Sequence, residues 1–229
     1  MRITPSTLTR GSAVAAFVAG AIYIVIQFIH PADVVTSLST GQWATVHILS
    51  FSEAVLALIG VTGIYLRQVR QFGLLGLIGY LMFGFFFVLQ AAFNFTEAFI
   101  APLLVTTAPQ FADDFVGLFG RHTAVTDLGP LAALPSVAGL LYVLGALIFG
   151  IGVIRARVLS RGAGILLIAA AVVTPIAGAL LPHTLERGAA IPMGLALIWL
   201  GYSLWSGQQK NSIPVQVGAG EVSLGRVAK

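Results

Sequence analysis

The chain contains no cysteine. That excludes disulfides, thiolate metal sites, thioether-linked haem and cysteine nucleophiles. Charge is nearly as scarce. Only 9% of the 229 residues are Asp, Glu, Lys or Arg, against about 25% in an ordinary soluble domain. The lysines are Lys210 and Lys229, both beyond the last apolar segment, so a Schiff base inside a membrane is excluded. Phosphate-binding loops, dinucleotide fingerprints, H-E-x-x-H and G-x-S-x-G are all missing. Ser50 and Ser52 near His47 therefore lack the setting of a serine hydrolase.

What fills the space is apolar. Hydrophobic residues make up 58% of the chain, and the mean hydropathy is +0.97. They come in blocks of roughly 20 residues, enough to cross a ~30 Å hydrocarbon layer as helices. Six blocks read as transmembrane helices: Gly11–Ile29, Trp43–Leu66, Phe72–Phe99, Leu131–Ile154, Gly162–Leu181 and Ala190–Ser206. The expected fold is an all-α integral membrane protein with one membrane domain, 1–206. Residues 207–229 lack apolar periodicity and read as a mobile cytoplasmic tail.

Basic residues alternate between the connections. Arg2 and Arg10 precede the first span. Arg67 and Arg70 separate the second from the third, and Arg155, Arg157 and Arg161 the fourth from the fifth. Lys210, Arg226 and Lys229 follow the sixth. Positive-inside bias places both termini in the cytoplasm of a multi-pass protein of the cell membrane. The net charge of +4 is thus a topology signal and not a nucleic-acid footprint. Ten arginines against two lysines, with much Ala and Gly, point to a bacterial source of high-GC coding bias.

Small residues recur at helix-contact spacing: Ser12, Ala16 and Gly20 in span one, Gly73, Gly76 and Gly79 in span three, Ala190 and Gly194 in span six. Such stripes allow close backbone approach in lipid. They suit internal packing or, for span one, docking of a partner subunit. Pro175 should kink span five in its outer half. The size, the six spans and the Ser12, Ala16, Gly20 stripe resemble in layout the substrate-capturing membrane subunits of energy-coupling-factor vitamin transporters. That resemblance implies a ligand taken from outside beneath an outer loop, and a partner docked on span one. No ligand-specific motif accompanies it.

The connection from Ile100 to Pro130 is long, and long loops are often functional. Within it, Phe111, Phe115, Leu118 and Phe119 recur at helical spacing. Asp113 and Asp114 sit where a helix start would favour negative charge. A short amphipathic helix is expected there, lying on the outer membrane surface or over the bundle.

Polar residues inside the spans complete the pattern. Tyr23, Gln27 and His30 share one face of span one, and Gln90, Asn94 and Glu97 one face of span three. Polar groups at membrane depth need partners, so the two stripes should face each other. Span two adds His47, Ser50 and Glu53, with Glu53 roughly 15 Å below Trp43 along the helix. Trp43 suits the outer interface. All four histidines, His30, His47, His122 and His183, fall on the outer side. No Lys or Arg lies within a span to neutralise Glu53 and Glu97. Three states relieve that cost: a protonated acid, a pair with histidinium, or a bound cation.

The expectation is an outward-facing polar pocket that binds or moves a small solute or cation, with proton coupling. Its residues are Gln27, His30, His47, Glu53, Gln90, Asn94, Glu97 and His183, with the Ile100–Pro130 loop as cover. A second reading makes the same region a metal- or haem-dependent enzyme or redox subunit, with His30, His47, Glu97 and His183 as ligands. A third is an accessory or structural subunit.

Overall fold

The computed structural model describes residues 3–119, 123–181 and 187–212. His122, His183, Glu186 and the chain after Ser212 lie outside them. The described residues form helices and turns, with no strand. Five helices are long and apolar enough to cross a membrane.

Helix α1 runs Pro5–Ile29. Thr4 caps it by accepting the Thr7 amide at 3.2 Å, and Pro5 occupies the first turn, where its missing donor costs nothing. It stops at His30, whose extended backbone precedes Pro31. A 3-10 turn, Val35–Ser39, leads to Thr40, which caps α2 through the Trp43 amide.

Helix α2 is assigned as one element over Gly41–Phe99, but Gly73 interrupts it with φ 59° and ψ −159°. That region is essentially open only to glycine. Contacts show what the break does. Tyr80 stacks on Tyr65 and its hydroxyl meets Thr62 at 3.1 Å. Further from the break, Gln90 donates to Glu53 at 2.8 Å. At the far ends the Trp43 indole donates to the Glu97 carbonyl at 2.9 Å. The pairs move outward in step along both arms, so α2 doubles back as an antiparallel hairpin with arms 41–72 and 74–99. The first arm extends past the expected end at Leu66. Arg67 and Arg70 ride on its last turns rather than in a loop.

Helix α5 (Leu134–Ala156), α6 (Arg161–Leu180) and α7 (Ile191–Ser212) complete the bundle. The helix α7 continues beyond the expected end at Ser206. Pro175 lies within α6, which runs through it. The ring closes in the order α1, first arm, return arm, α5, α6, α7 and back to α1.

The small residues set the spacing. A Cβ on Gly60 would come within 2.6 Å of Ala16, and one on Gly79 within 2.5 Å of the Phe149 backbone. Gly20 meets the Gly194 carbonyl across α1 and α7. Ala16 and Gly20 are therefore occupied by the chain's own helices, while Ser12 remains partly exposed beside Gly63. Large apolar side chains such as Leu74, Phe85, Leu140 and Ile165 point outward. Small side chains inside and large apolar ones outside suit a lipid surround.

The connection after α2 folds into α3 (Ala101–Thr107), α4 (Pro109–Val116) and a 3-10 turn, Gly117–Phe119. Ala112, Phe115 and Val116 bury their faces against Leu38, Trp43 and Ala101. The expected short helix is present, but Asp113 and Asp114 are not in its first turn. Asp114 is buried and accepts the amides of Val125 and Thr126 at 3.1 and 2.7 Å. It holds the following loop in place instead of complementing a helix dipole.

Candidate functional site

The described basic residues other than Arg187 sit at one end of the bundle. Arg10 stacks over Trp205, Arg67 and Arg70 precede the Gly73 reversal, and Arg155, Arg157 and Arg161 flank the α5–α6 turn. At the other end is a cavity of about 270 Å³, lined by His30, Asp33, His47, Phe93, Asn94, Glu97, Val116, Phe119 and Arg187.

Each wall follows from a local feature. His30 is the residue that ends α1, and Gln42 ties that end to α2 by donating to the Ile29 carbonyl at 2.9 Å. His47 lies one turn past Trp43 and stacks on it, ring centroids 4.0 Å apart. Trp43 itself is wholly buried, not at a lipid interface, because its indole N–H finds the Glu97 carbonyl. Glu97 and Asn94 share a face of the return arm, one turn apart, and Asn94 donates to the Gln90 carbonyl. Val116 and Phe119 close the cavity from the α4 side.

The floor is the His47–Glu97 pair. His47 Nδ1 lies 2.8 Å from the Trp43 carbonyl, which only accepts, so Nδ1 carries hydrogen. In the neutral ring Nε2 is then an acceptor. It faces Glu97 Oε2 at 3.3 Å. Two acceptors at that separation need a proton or a cation between them. Both residues are buried, at 1% and 7% exposure. Near the rim, Arg187 Nη2 donates to Asp33 at 2.9 Å, and His30 Nδ1 lies 3.7 Å from the same carboxylate. With neutral imidazoles, the described lining residues set two carboxylates, Asp33 and Glu97, against one guanidinium, Arg187, an excess of one negative charge among the described residues.

Of the residues expected from sequence, His30, His47, Asn94 and Glu97 converge here. The others do not. Gln27 donates to the Tyr23 carbonyl of its own helix. Glu53 and Gln90 pair with each other deeper in the bundle, where Glu53 is fully buried. Among the described residues, Glu53 Oε1 and Gln90 Oε1 have no hydrogen-bond partner. A second, mostly apolar cavity of about 240 Å³ reaches Gln90 and shares Phe93, Asn94 and Phe119 with the first. His183 lies outside the described residues.

Sequence reasoning left five contributors off its site: Asp33, Phe93, Val116, Phe119 and Arg187. Asp33 follows His30 by one helical step, a usable signal. Arg187 is one of two bases, with Arg121, among the acidic residues of those loops, also visible. Phe93 and Val116 gave none, since any apolar residue would fit their pattern, while Phe119 was visible as part of the apolar face of the covering loop helix.

The metal reading lacks a ligand set among the described residues, where no three His, Asp or Glu side chains converge to hold an ion. A haem held between His30 and His47 does not fit either. Their rings touch edge to face, with centroids 5.1 Å apart, and a porphyrin between two axial ligands would force them apart. Ser50 and Ser52 donate to the carbonyls of their own helix, at Val46 and Ile48.

No protein-family model, no curated protein and no solved structure matches the chain. Its function is therefore read from the chemistry of the cavity.

Proposed function

We propose that the protein is a six-span protein of the cell membrane whose polar cavity binds a small solute or cation from outside, with proton coupling. In this reading each arm of α2 is a separate crossing. The arginine-bearing end faces the cytoplasm, as positive-inside bias requires, so both termini are cytoplasmic and the histidine end faces out. The α3–α4 segment lies over the outer end as a cover. A partner subunit docking on α1 would meet only the exposed remainder around Ser12.

One observation carries the functional half: a buried acid and imidazole that need a proton or cation between them form the floor of a polar cavity. Structural glue does not need an adjoining cavity, whereas a binding site does. The volume is near the lower bound of about 300 Å³ for ligand pockets, which limits the ligand to a small molecule. Glu53 is the deeper acid, bonded to Gln90 on the wall of the second cavity and lining neither cavity itself.

The test is a panel of small cationic, neutral and anionic solutes, scored by thermal stabilisation of purified protein in lipid nanodiscs and by uptake into proteoliposomes. Binding that is lost in His47→Ala and Asn94→Ala supports the reading. If no solute binds, and His47→Ala changes stability alone, the accessory-subunit reading replaces it.

A further inference from the structure

We infer that the cavity takes a small organic ammonium ion, and that this cation and a proton compete for Glu97. The inference rests on reading the cavity as a solute site.

Charge comes first. With neutral imidazoles the described lining residues are one positive charge short of balance, and the unmet need lies at Glu97, whose carboxylate faces an acceptor nitrogen. Asp33 already has Arg187 at 2.9 Å and His30 at 3.7 Å. Glu97 has His47 Nε2, which in the tautomer fixed by Trp43 brings a lone pair and no hydrogen. A primary ammonium supplies what is missing, as N–H donors to the Glu97 carboxylate, to His47 Nε2 and to the Asn94 carbonyl oxygen.

Shape and surface come second. Phe93 and Phe119 stand beside Glu97 in the wall, 4.7 Å apart between centroids. Ring faces attract an alkylammonium and offer nothing to an anion. A carboxylate ligand would meet Glu97 and Asp33, with Arg187 already engaged. A bare metal ion would find no group of three ligands among the described residues.

Competition follows from occupancy. The empty pair holds one proton, as a Glu97 carboxyl donating to Nε2 or as His47 imidazolium donating to the carboxylate. Among the described residues, the charged and titratable groups facing it are His30 on α1, Asp33 after α1 and Arg187 before α7, and the α4 side contributes Val116 and Phe119. An arriving ammonium neutralises Glu97 itself, so that proton leaves. Cation in and proton out are then linked at one carboxylate, the arrangement a cation–proton exchanger requires.

Protonated n-butylamine, butanamide and butanoate have nearly one size and three charges. The amine stays protonated from about pH 6 to pH 8, as a lysine side chain does. Calorimetry on the full chain in nanodiscs, in buffers of different ionisation heat, reads affinity and proton release together. The expected result is binding of the amine alone. Its affinity should tighten as pH rises, by at most about tenfold per unit while the pair is still protonated, with close to one proton released per cation. Glu97→Gln should abolish both effects. Phe119→Leu is partly exposed and should fold, and it should weaken the amine several-fold while leaving the proton release unchanged. Preference for butanamide or butanoate overturns the inference and leaves the solute-site reading standing. Amine binding that ignores pH and survives Glu97→Gln also overturns it. Failure of all three ligands overturns it too, and the wider solute panel then decides whether the cavity binds anything.

Discussion

Glu53 and Glu97 look alike in the sequence, each a lone acid inside an apolar segment, yet the bundle surrounds them differently. Glu53 is sealed between the arms of α2, and the Gln90 amide gives it a neutral hydrogen bond. Glu97 faces an imidazole in acceptor form, on the floor of a cavity with an ion pair at its rim. The difference teaches that burial alone does not make an acid a site. Glu53 resembles interhelical glue with one oxygen left over; Glu97 has space beside it for something to arrive.

Separating the two acids by mutation should give separate phenotypes. Glu97→Ala should show the largest effect, a loss of cation affinity on the order of a hundredfold, since truncating one buried charged partner strands the other. Titration calorimetry measures it. Glu53→Leu should leave that affinity nearly intact but strand the Gln90 amide, costing about 1–3 kcal/mol in unfolding from detergent. Trp43→Phe removes one buried hydrogen bond to the Glu97 carbonyl and should cost about 1 kcal/mol, with a modest weakening of binding because the smaller ring holds His47 and Glu97 less firmly. Glu53→Gln keeps a hydrogen-bonding group opposite Gln90 and should be the mildest, under about 1 kcal/mol. If Glu53→Gln instead abolishes cation uptake while binding survives, the deep acid belongs to the transport path and the contrast between the two acids collapses.

How much of this was legible in the chain differs by feature. The apolar blocks, the sidedness of the arginines and the polar stripe Gln90, Asn94, Glu97 follow from period and charge, and they locate both acids. The convergence of His30, His47, Asn94 and Glu97 was readable because polar groups at that depth must turn inward. The separation of Glu53 from the cavity was not, because helical spacing gives a face and a height but not which neighbour fills the gap. The reversal at Gly73 was misplaced for a different reason. Arg67 and Arg70 resemble loop residues, but long side chains at a helix end can reach water while the backbone stays helical. One glycine in a conformation barred to other residues then replaces an entire loop. Trp43 was misjudged because an indole with an interhelical acceptor has no need of the lipid–water boundary.

That single-residue reversal has a consequence for how the chain enters a bilayer. Two apolar arms joined at one reversing glycine, with Arg67 and Arg70 on the helical turns just before it, can pass from the translocation machinery into lipid as one helical hairpin. Glu53 on the leading arm and Gln90 on the trailing arm meet across the hairpin, so the carboxyl's amide partner is supplied by α2 itself. The acid sealed between the arms is thereby matched in part by its own returning helix, with one oxygen of Glu53 and one of Gln90 still without a partner among the described residues.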